Sequence, residues 1–533
     1  MRDAYIACLC FAATRARALS LQGRRVCVVG AGVGGLCAAG RLAREGARVT
    51  ILERRDACGG RLHSKLVEGY RFDLGPSLLL MPAVYDATFA ALGDDTPLET
   101  VDVSAPYYHA FFSGDAPGTA PIELDPQRRR ESLAAALEAL EGPGAAASLD
   151  AYLATSRAFL DGGWPLAIEE RLDAPSLPAF VAAAVRQLPV FQSHDDMLRR
   201  YFPNSAKARA LLAFQDLYVG LSPFQAPAVF SLLQAMELDV DAGYGIKYPV
   251  GGFDEVRRKL ERACTALGVE IRTGADVSRV DVDDGRATGV TLADGSRVAA
   301  DAIVINADLP LAERTLVPSD RARNFEKAKS SSSVVSLSFA LDRSFAALAH
   351  HNIVFADDLG PGPWDSLFSR PAADWAPGHF YVHCPTRSDP SAAPPGCDAI
   401  TVLVPTPPLP RGAGDAAADA LSRSWAAAAR KSVVERLARL PEMAHWTESI
   451  VHESIIAPAE WRHDFSLDRG AVFGLASGLD QLSLLRPGPR HPRVGGLFFA
   501  GASARPGNGV PLVMVGARLC SDAVVRDLAP GQR

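Results

Sequence analysis

A glycine-rich turn near the start of the chain constrains the fold more than any other feature. Arg24 to Gly30 reads RRVCVVG, the pattern of a buried strand, and a cluster of glycines follows it directly. The next stretch, LCAAGRLAREG, places its apolar residues at helical spacing, and Arg48 to Glu53 predicts a second strand. This order of strand, turn, helix and strand is the opening unit of a doubly wound parallel sheet.

The glycines of this turn match the G-x-G-x-x-G fingerprint of dinucleotide binding at Gly30, Gly32 and Gly35. Glycine permits the tight turn, lets the backbone approach a pyrophosphate, and allows the helix to pack closely on the strand. The helix N-terminus then presents free N–H groups to the phosphates. Glu53 ends the second strand, where a carboxylate accepts hydrogen bonds from ribose hydroxyls. The unit predicts a bound dinucleotide without distinguishing NAD from FAD.

Composition excludes several other classes of protein. The chain has 533 residues, more than one simple core holds, so two or more domains are expected. A net charge of −6 gives no basic footprint for nucleic acid. The nine cysteines form no CxxC pair and the histidines show no ligand spacing, so neither a metal site nor a disulfide framework is expected. No stretch reaches the ~18–20 apolar residues that a membrane-spanning helix needs.

Several later stretches resemble a known family. Gly59-Gly60-Arg61 follows Glu53 as in the FAD-dependent amine-oxidase and desaturase superfamily, and Phe72 to Ser77 is similar to the next turn of its carotenoid branch. LFFAGASARPGNGVPLVMVGARL, from Leu497 to Leu519, is similar to the closing motif of bacterial- and fungal-type phytoene desaturases. Internal blocks, such as the one from Leu212 to Leu238, match as well. The resemblance covers nearly the whole chain.

The resemblance implies an α/β fold: a doubly wound, Rossmann-like FAD-binding domain interrupted by a mixed α+β substrate domain. An N-terminal extension is expected to be disordered or to touch a membrane weakly, with the remnant of a transit peptide as the alternative. The expected boundaries are 1–23 for the extension, 24–104, 250–310 and 445–533 for the FAD-binding pieces, and 105–249 and 311–444 for the substrate domain.

The motifs and the resemblance together assign the cofactor site. The closing glycine-rich turn is expected to bring a second helix N-terminus to the flavin. The turn contains no Cys, so FAD is expected to bind non-covalently. Ala504 and Arg505 stand where the family often carries histidine or threonine. The predicted cofactor-binding residues are Gly30, Gly32, Gly34, Gly35, Glu53, Arg54, Gly59, Gly60, Arg61, Gly75, Pro76, Ser77, Val277, Gly501, Ala502, Gly509, Val510 and Pro511.

The implied activity is FAD-dependent desaturation of phytoene or a related acyclic carotene, by hydride transfer to flavin N5, in carotenoid biosynthesis. Oxygen or a membrane quinone would accept the electrons. Three alternatives remain open: a redox-neutral carotene cis–trans isomerase using reduced FAD, a soluble FAD-dependent amine oxidase, and a non-enzymatic FAD-binding scaffold. An apolar carotene implies a peripheral membrane enzyme, on a cytoplasmic face or a plastid membrane. The sequence does not indicate the oligomeric state.

A substrate without polar groups requires an apolar channel. Two stretches, Ser176 to Phe191 and Leu211 to Met236, fit a channel, a membrane-docking surface or buried core helices. Between them, HDDMLRRYF places Asp196 and Arg199 three residues apart, and therefore side by side on a helix. The segment resembles one in bacterial phytoene desaturases whose acid and arginine are proposed to act near the flavin. Asp196 is predicted to be the proton-accepting base and Arg199 its partner, with a surface ion pair as the alternative.

Overall fold

A computed structural model describes residues 20–103, 107–125, 128–164, 192–238, 245–368, 372–482 and 485–529. Ser176 to Phe191, one of the two predicted apolar stretches, lies outside these ranges. The strands of the described residues are β1 (Arg25–Val29), β2 (Arg48–Leu52), β3 (Ser64–Val67), β4 (Tyr70–Asp73), β5 (Thr100–Asp102), β6 (Tyr108–Phe112), β7 (Ile122–Leu124), β8 (Lys247–Pro249), β9 (Glu270–Arg272), β10 (Val277–Asp283), β11 (Arg286–Leu292), β12 (Arg297–Ala299), β13 (Ala302–Ile305), β14 (Ser333–Leu341), β15 (His351–Phe355), β16 (Phe380–His383), β17 (Asp398–Thr406), β18 (Ile450–Ile456) and β19 (Leu497–Phe499). The α-helices are α1 (Val33–Arg44), α2 (Pro82–Ala91), α3 (Arg129–Glu141), α4 (Ala145–Trp164), α5 (His194–Tyr201), α6 (Ala206–Ala213), α7 (Leu232–Leu238), α8 (Asp254–Ala266), α9 (Leu309–Thr315), α10 (Gly362–Phe368), α11 (Asp415–Leu437), α12 (Pro458–Asp464) and α13 (Val510–Leu528).

A parallel sheet with strand order β19-β13-β1-β2-β9 forms the first layer. Its central strand is buried on both faces, as the apolar run RVCVV predicts. Val26 and Val28 belong to the same core cluster as residues of α1, α8 and α13. Cys27 and Val29 pack on the other side, where the antiparallel strands β10, β11 and β12 and the helix α9 cover the sheet. The predicted α/β fold class, with a Rossmann-like domain, is confirmed.

A second, mixed sheet has the strand order β18-β14-β17-β16-β15-β6-β7. Its strand β14 is fully buried, β17 is buried except at Leu403, and α11 packs Trp425, Ala429 and Val433 against the same core. The strands of the parallel sheet come from the pieces predicted for the FAD-binding domain, and those of the mixed sheet other than β18 come from the predicted substrate domain. The strand β18 lies beyond the predicted boundary at residue 445 and pairs with β14 of the mixed sheet, which favours a later boundary there.

The predicted apolar stretch from Leu211 to Met236 does not form one helix. Its prolines lie where helical structure is broken, and the stretch divides into the end of α6, 3₁₀ helices at Phe214–Val219 and Ala228–Ser231, and α7. Leu211, Leu212 and Phe214 are buried in the core around α13. These buried positions favour the interpretation of this stretch as core and cavity wall over that of a membrane-docking surface. Within the described ranges, no helix is long and apolar enough to cross a membrane.

Candidate active site

A cavity of about 730 Å³ begins at the carboxyl ends of the parallel strands and extends to the mixed sheet. This is the edge at which ligands bind to open α/β sheets. One half is bordered by the turns that follow β1, β2, β13 and β19, and we call it the cradle. The other half is bordered by α7, the 3₁₀ segments before it and strands of the mixed sheet, and we call it the chamber.

The predicted glycine turn forms the floor of the cradle. Gly30 has a φ of +98°, which favours glycine, and its N–H donates to the carbonyl of Leu52 at 2.8 Å. Gly30, Gly32 and Gly34 border the cavity. Gly35 does not belong to the described lining; a Cβ there would overlap the carbonyl oxygen of Gly30. Its role is therefore to let α1 pack closely on β1, while the other glycines leave room for a ligand.

Glu53 faces the cradle from the end of β2. Its Oε2 accepts a hydrogen bond from the N–H of Ala31 at 2.7 Å, and its Oε1 accepts one from the N–H of Arg55 at 2.9 Å. The carboxylate is thus fixed across the glycine turn, with acceptor capacity left for a ligand hydroxyl. The neighbouring Arg54 borders the cavity too, and its guanidinium donates to the carbonyls of His463 and Asp464 at the end of α12.

The Gly-Gly-Arg motif forms the second wall of the cradle. Gly59 pairs with Gly32 in an isolated parallel bridge and has a φ of +111°. The buried guanidinium of Arg61 donates to the carbonyl of Val472. Burial lowers the pKa of Arg61, and the nearby Asp308 opposes that shift. Gly75, Pro76, Ser77 and Val277 also border the cavity, as predicted.

Asn306 is a functional candidate that the motifs did not single out. It follows β13 and borders the cavity, and its Nδ2 donates to the carbonyl of Ala500 at 2.9 Å. A Cβ at Gly32 would lie 2.7 Å from its Oδ1, and one at Gly34 would lie 2.6 Å from its Nδ2. The amide therefore joins the first glycine turn to the closing turn. The INADLP segment carried the signal, because a polar residue directly after a buried strand faces this edge.

The closing turn places a second helix N-terminus at the cavity. Gly509 precedes α13 with a φ of +99°, and Gly501, Ala502, Val510 and Pro511 border the cavity as predicted. The buried guanidinium of Arg486 braces the turn by donating to the carbonyl of Ala502 at 2.6 Å. Burial lowers the pKa of Arg486 to about 10. The helix start and the braced turn suit a ligand that carries negative charge.

Ala504 and Arg505, where the sequence departs from the family pattern, take different positions. Ala504 borders the cavity and is almost fully buried. The side chain of Arg505 lies 3.4 Å from the carbonyl oxygen of Arg486, behind the turn. At residue 504 the cavity wall therefore carries a small apolar side chain, and the charge of Arg505 does not face the cavity.

The chamber is walled mainly by apolar side chains. Leu80, Met81, Leu232, Leu233, Met236, Ile353 and Leu403 border it. Tyr381 and Ser77 bring hydroxyls to its wall: Tyr381 donates to Ser77 at 2.9 Å, and from behind the wall Nδ1 of His351 lies 2.6 Å from the oxygen of Tyr381. Tyr218 borders the chamber as well, and its hydroxyl contacts that of Tyr108. Such a space suits a long apolar molecule.

Asp196 and Arg199 are not brought together at the cavity. Asp196 is exposed at the start of α5, where Ser193 caps the helix and its hydroxyl donates to Asp196 Oδ2 at 2.7 Å. Arg199 pairs instead with Asp195, with Nε and Oδ2 2.6 Å apart. The predicted pairing is therefore wrong, because residues four apart face each other here. Neither side chain belongs to the described lining of the cavity, which argues against the predicted proton-accepting role.

The residues of the cradle fit a dinucleotide. Its glycines leave the space that a Cβ would fill, two helix N-termini point to it, and a fixed carboxylate ends the second strand. Among the residues that the structure describes, no group of three or more His, Cys, Asp or Glu side chains is placed to hold a metal ion. The arrangement is that of a dinucleotide-binding oxidoreductase.

Comparisons with known proteins agree with this class. The family model for flavin containing amine oxidoreductases matches residues 33–524. A zeta-carotene-forming phytoene desaturase of Myxococcus xanthus is 36% identical, covering 95% of each chain. A phytoene desaturase of Phycomyces blakesleeanus is 34% identical, covering 94% of this chain and 85% of the other. The chain therefore belongs to the flavin containing amine oxidoreductases, among the bacterial and fungal phytoene desaturases, and is an FAD-dependent oxidoreductase.

A solved structure supports the fold independently. A variant of putrescine oxidase matches with a TM-score of 0.60 at 17% identity, covering 95% of this chain and 98% of the other. At that identity the likeness concerns the fold alone.

Proposed function

We propose that this protein desaturates phytoene or a closely related acyclic carotene, removing two hydrogens from adjacent saturated carbons. The observation that carries the proposal is the continuity of the cradle with the apolar chamber in one cavity. The relatives named phytoene desaturase, at 34–36% identity over nearly the whole chain, support this substrate class.

FAD, when bound, supplies a two-electron oxidant that can take a hydrogen together with its bonding electrons. The protein's part is to hold the cofactor and to orient the substrate beside it. The glycine turns, Glu53 and the start of α13 would hold FAD, and the closing turn borders the passage to the chamber. The site residues predicted from the sequence remain proposals for this role.

The chamber wall excludes water from the reacting carbons. A carotene offers no hydrogen-bonding group, so its position depends on shape and apolar contact. Leu232, Leu233 and Met236 supply one wall from α7, and Ile353 and Leu403 supply another from the mixed sheet. Each desaturation extends the conjugated and therefore rigid part of the carotene, and the same walls would hold that part.

We also propose a peripheral attachment to a membrane, on a cytoplasmic or plastid surface, because the substrate partitions into lipid. Leu479 and Leu485 are 40% and 67% exposed, and they flank Leu482, which borders the cavity. These leucines are better candidates for lipid contact than the buried stretch from Leu211 to Met236. Oxygen or a membrane quinone is the proposed electron acceptor.

Anaerobic incubation of the FAD-bound protein with phytoene in liposomes tests the activity. We expect bleaching of the flavin absorbance together with red-shifted polyene bands, because each turnover adds a double bond. A change of carotene geometry at constant double-bond number would instead support the cis–trans isomerase. Reaction with a diamine and none with phytoene would support the amine oxidase. Retention of FAD without reaction on either substrate would leave the scaffold interpretation.

A further inference from the structure

Tyr381 brings a hydroxyl to an apolar part of the chamber wall. In the register of the mixed sheet, Tyr381 of β16 lies between Ile353 of β15 and Leu403 of β17, and all three residues border the cavity. Two positions further along the strands, His351 and His383 form the next pair on the same face of the sheet. Ile353 and Leu403 serve the apolar wall, whereas none of the functions assigned above uses the hydroxyl of Tyr381.

The hydroxyl of Tyr381 has two polar neighbours. It donates to Oγ of Ser77 at 2.9 Å in one orientation of its hydrogen, and Nδ1 of His351 lies 2.6 Å from its oxygen behind the wall. A contact of 2.6 Å requires a hydrogen between the two atoms, which comes either from the phenol or from Nδ1. When the phenol supplies it, the oxygen of Tyr381 keeps a lone pair for a group in the chamber.

The surroundings of His351 keep its imidazole neutral. Its side chain is fully buried, and the rings of His350 and His383 lie 4.5 and 5.9 Å from its own, centroid to centroid. Burial lowers the pKa of His351 well below its usual range, and His383 and Arg129 act in the same direction. Burial also raises the pKa of Tyr381. Phenol and imidazole are therefore both uncharged at rest, and this part of the wall suits an apolar molecule.

We propose that Tyr381 accepts the proton that the substrate loses in desaturation, and that its own hydroxyl hydrogen passes to His351. The proposal rests on the proposed function. The first hydrogen leaves the substrate with its bonding electrons, which go to bound FAD. The second leaves as a proton to the oxygen of Tyr381, while the hydroxyl hydrogen of Tyr381 moves as a proton to Nδ1 of His351. The bonding pair of that second C–H bond becomes the new double bond, and the phenol stays neutral.

A weak base is sufficient for this step. Loss of the first hydrogen leaves a carbocation, and a C–H bond beside a carbocation releases its proton far more readily than an ordinary C–H bond. A permanent charge in the wall is therefore not required, and it would attract water into the chamber. The proton returns from His351 through Tyr381 during reoxidation, since oxygen or a quinone takes up protons together with the electrons. His351 thus acts through Tyr381 and needs no contact with the substrate.

The first test needs no turnover. Nitrogen-15 NMR of the FAD-bound protein, labelled at its histidines, shows whether Nδ1 of His351 carries a hydrogen of its own; comparison with His351→Asn assigns the signal. We expect an Nδ1 without its own hydrogen that accepts a hydrogen bond, and a shifted signal in Tyr381→Phe, which removes the donor. Tyr85→Phe changes a buried tyrosine away from the cavity and should leave the signal unchanged. An Nδ1 that carries its own hydrogen would overturn the proposal.

The second test separates kcat from KM with phytoene in liposomes. Tyr381→Phe keeps the ring in the wall, and His351→Asn keeps an amide that can contact Tyr381 but cannot accept a proton. Both variants should retain FAD, keep KM within about threefold and lower kcat by about 10²–10⁴-fold. His350→Asn is the matched control: it changes the neighbouring buried histidine, whose Nδ1 lies 2.9 Å from Oγ of Ser388, and should keep kcat within about threefold.

The outcomes distinguish this proposal from the proposed function. If wild type forms no new double bond, the proposed function fails and the proposal fails with it. If wild type desaturates phytoene and Tyr381→Phe does so with a similar kcat, the proposal alone is overturned. A raised KM at unchanged kcat would also overturn it, because Tyr381 would then serve only as wall. FAD content shows that each variant is folded; if His351→Asn loses FAD, Tyr381→Phe and the nitrogen signal decide.

Discussion

The cradle and the chamber share one cavity but are built on opposite principles. The cradle depends on the absence of side chains: its turns contain glycines at which a Cβ would strike Asn306. The chamber depends on the presence of side chains, since leucine, methionine, isoleucine and tyrosine residues form its wall. The cradle should therefore tolerate almost no added side-chain atoms, while the chamber should tolerate the exchange of one apolar side chain for another. This difference explains how one family can keep a cofactor and vary what it oxidises.

The largest effect is expected from adding a single methyl group between the glycine turn of the cradle and α1. Gly35→Ala places a Cβ against the carbonyl oxygen of Gly30, which is backbone and cannot move aside. We expect a loss of about 3 kcal/mol or more in the free energy of unfolding, together with loss of bound FAD. Thermal unfolding and FAD content measure both. Gly488→Ala, at a glycine with open space around it, is the control; equal damage there would show that the close approach is not the cause.

Removing the carboxylate of Glu53 should weaken the binding of FAD in the cradle without unfolding the protein. Glu53→Ala leaves the N–H groups of Ala31 and Arg55 without their acceptor and removes the expected partner of the ribose. FAD affinity should fall by about 1–3 kcal/mol. Titration of the apoprotein with FAD measures this, and release of FAD on denaturation checks that it is not covalently bound. An unchanged affinity would exclude Glu53 from the site.

Glu237 of α7, a fully buried carboxyl that follows Met236 of the chamber wall, predicts an unusual dependence of stability on pH. Because burial raises the pKa of Glu237 to about 7, its contribution to stability is complete at acid pH and is lost as the pH rises through 7. Glu237→Gln cannot ionise. Its free energy of unfolding relative to wild type should therefore increase by about 1–2 kcal/mol between pH 5 and pH 8. Denaturant unfolding at both pH values tests this. The same difference in free energy of unfolding between the two proteins at both pH values would contradict the raised pKa of Glu237.

Shortening one side chain of the chamber wall should weaken the binding of the substrate and leave the binding of FAD unchanged. Leu233 of α7 is partly exposed to the cavity, so Leu233→Ala removes less buried contact than a core leucine would. We expect a stability loss of about 1 kcal/mol, unchanged FAD content and a raised KM for phytoene. Parallel loss of FAD would mean that the two halves of the cavity are not independent.

The smallest effect is expected at Asp196, outside both halves. Its side chain is exposed and contacts Ser193 at the start of α5. Asp196→Asn should change stability by less than about 0.5 kcal/mol and turnover by less than about threefold. A loss of turnover near a hundredfold, with FAD retained, would restore this residue to the mechanism.

The cradle could be predicted from the sequence because its chemistry is local. Glycine spacing fixes the turn, and a carboxylate at the end of the second strand must face the same edge. The seventeen predicted cofactor residues other than Gly35 accordingly border the cavity. Asn306 was missed because its partners lie at Gly32, Gly34 and Ala500, far along the chain.

The chamber could not be predicted in the same way. Asp196 and Arg199 carry the correct residue types, but the cap at Ser193 and the pairing with Asp195 depend on local geometry that spacing alone leaves open. Glu237 ends an apolar stretch that also contains Gln215 and Gln234. Polar residues within such a stretch were the available signal, since they must find partners in the interior. Which partners they find depends on tertiary packing.

The order in which the segments of the cradle are synthesised limits when FAD can bind. The first glycine turn is made early, yet β19 and α13, which complete the sheet edge and supply the closing turn, come from residues 497–528. Contacts between such distant segments form late and slowly in folding. A nascent chain would therefore carry half a site while the residues between the two turns are synthesised. Quality control of this protein should be sensitive to FAD supply once both turns have been made, when cofactor binding can still select the closed sheet over its open precursors.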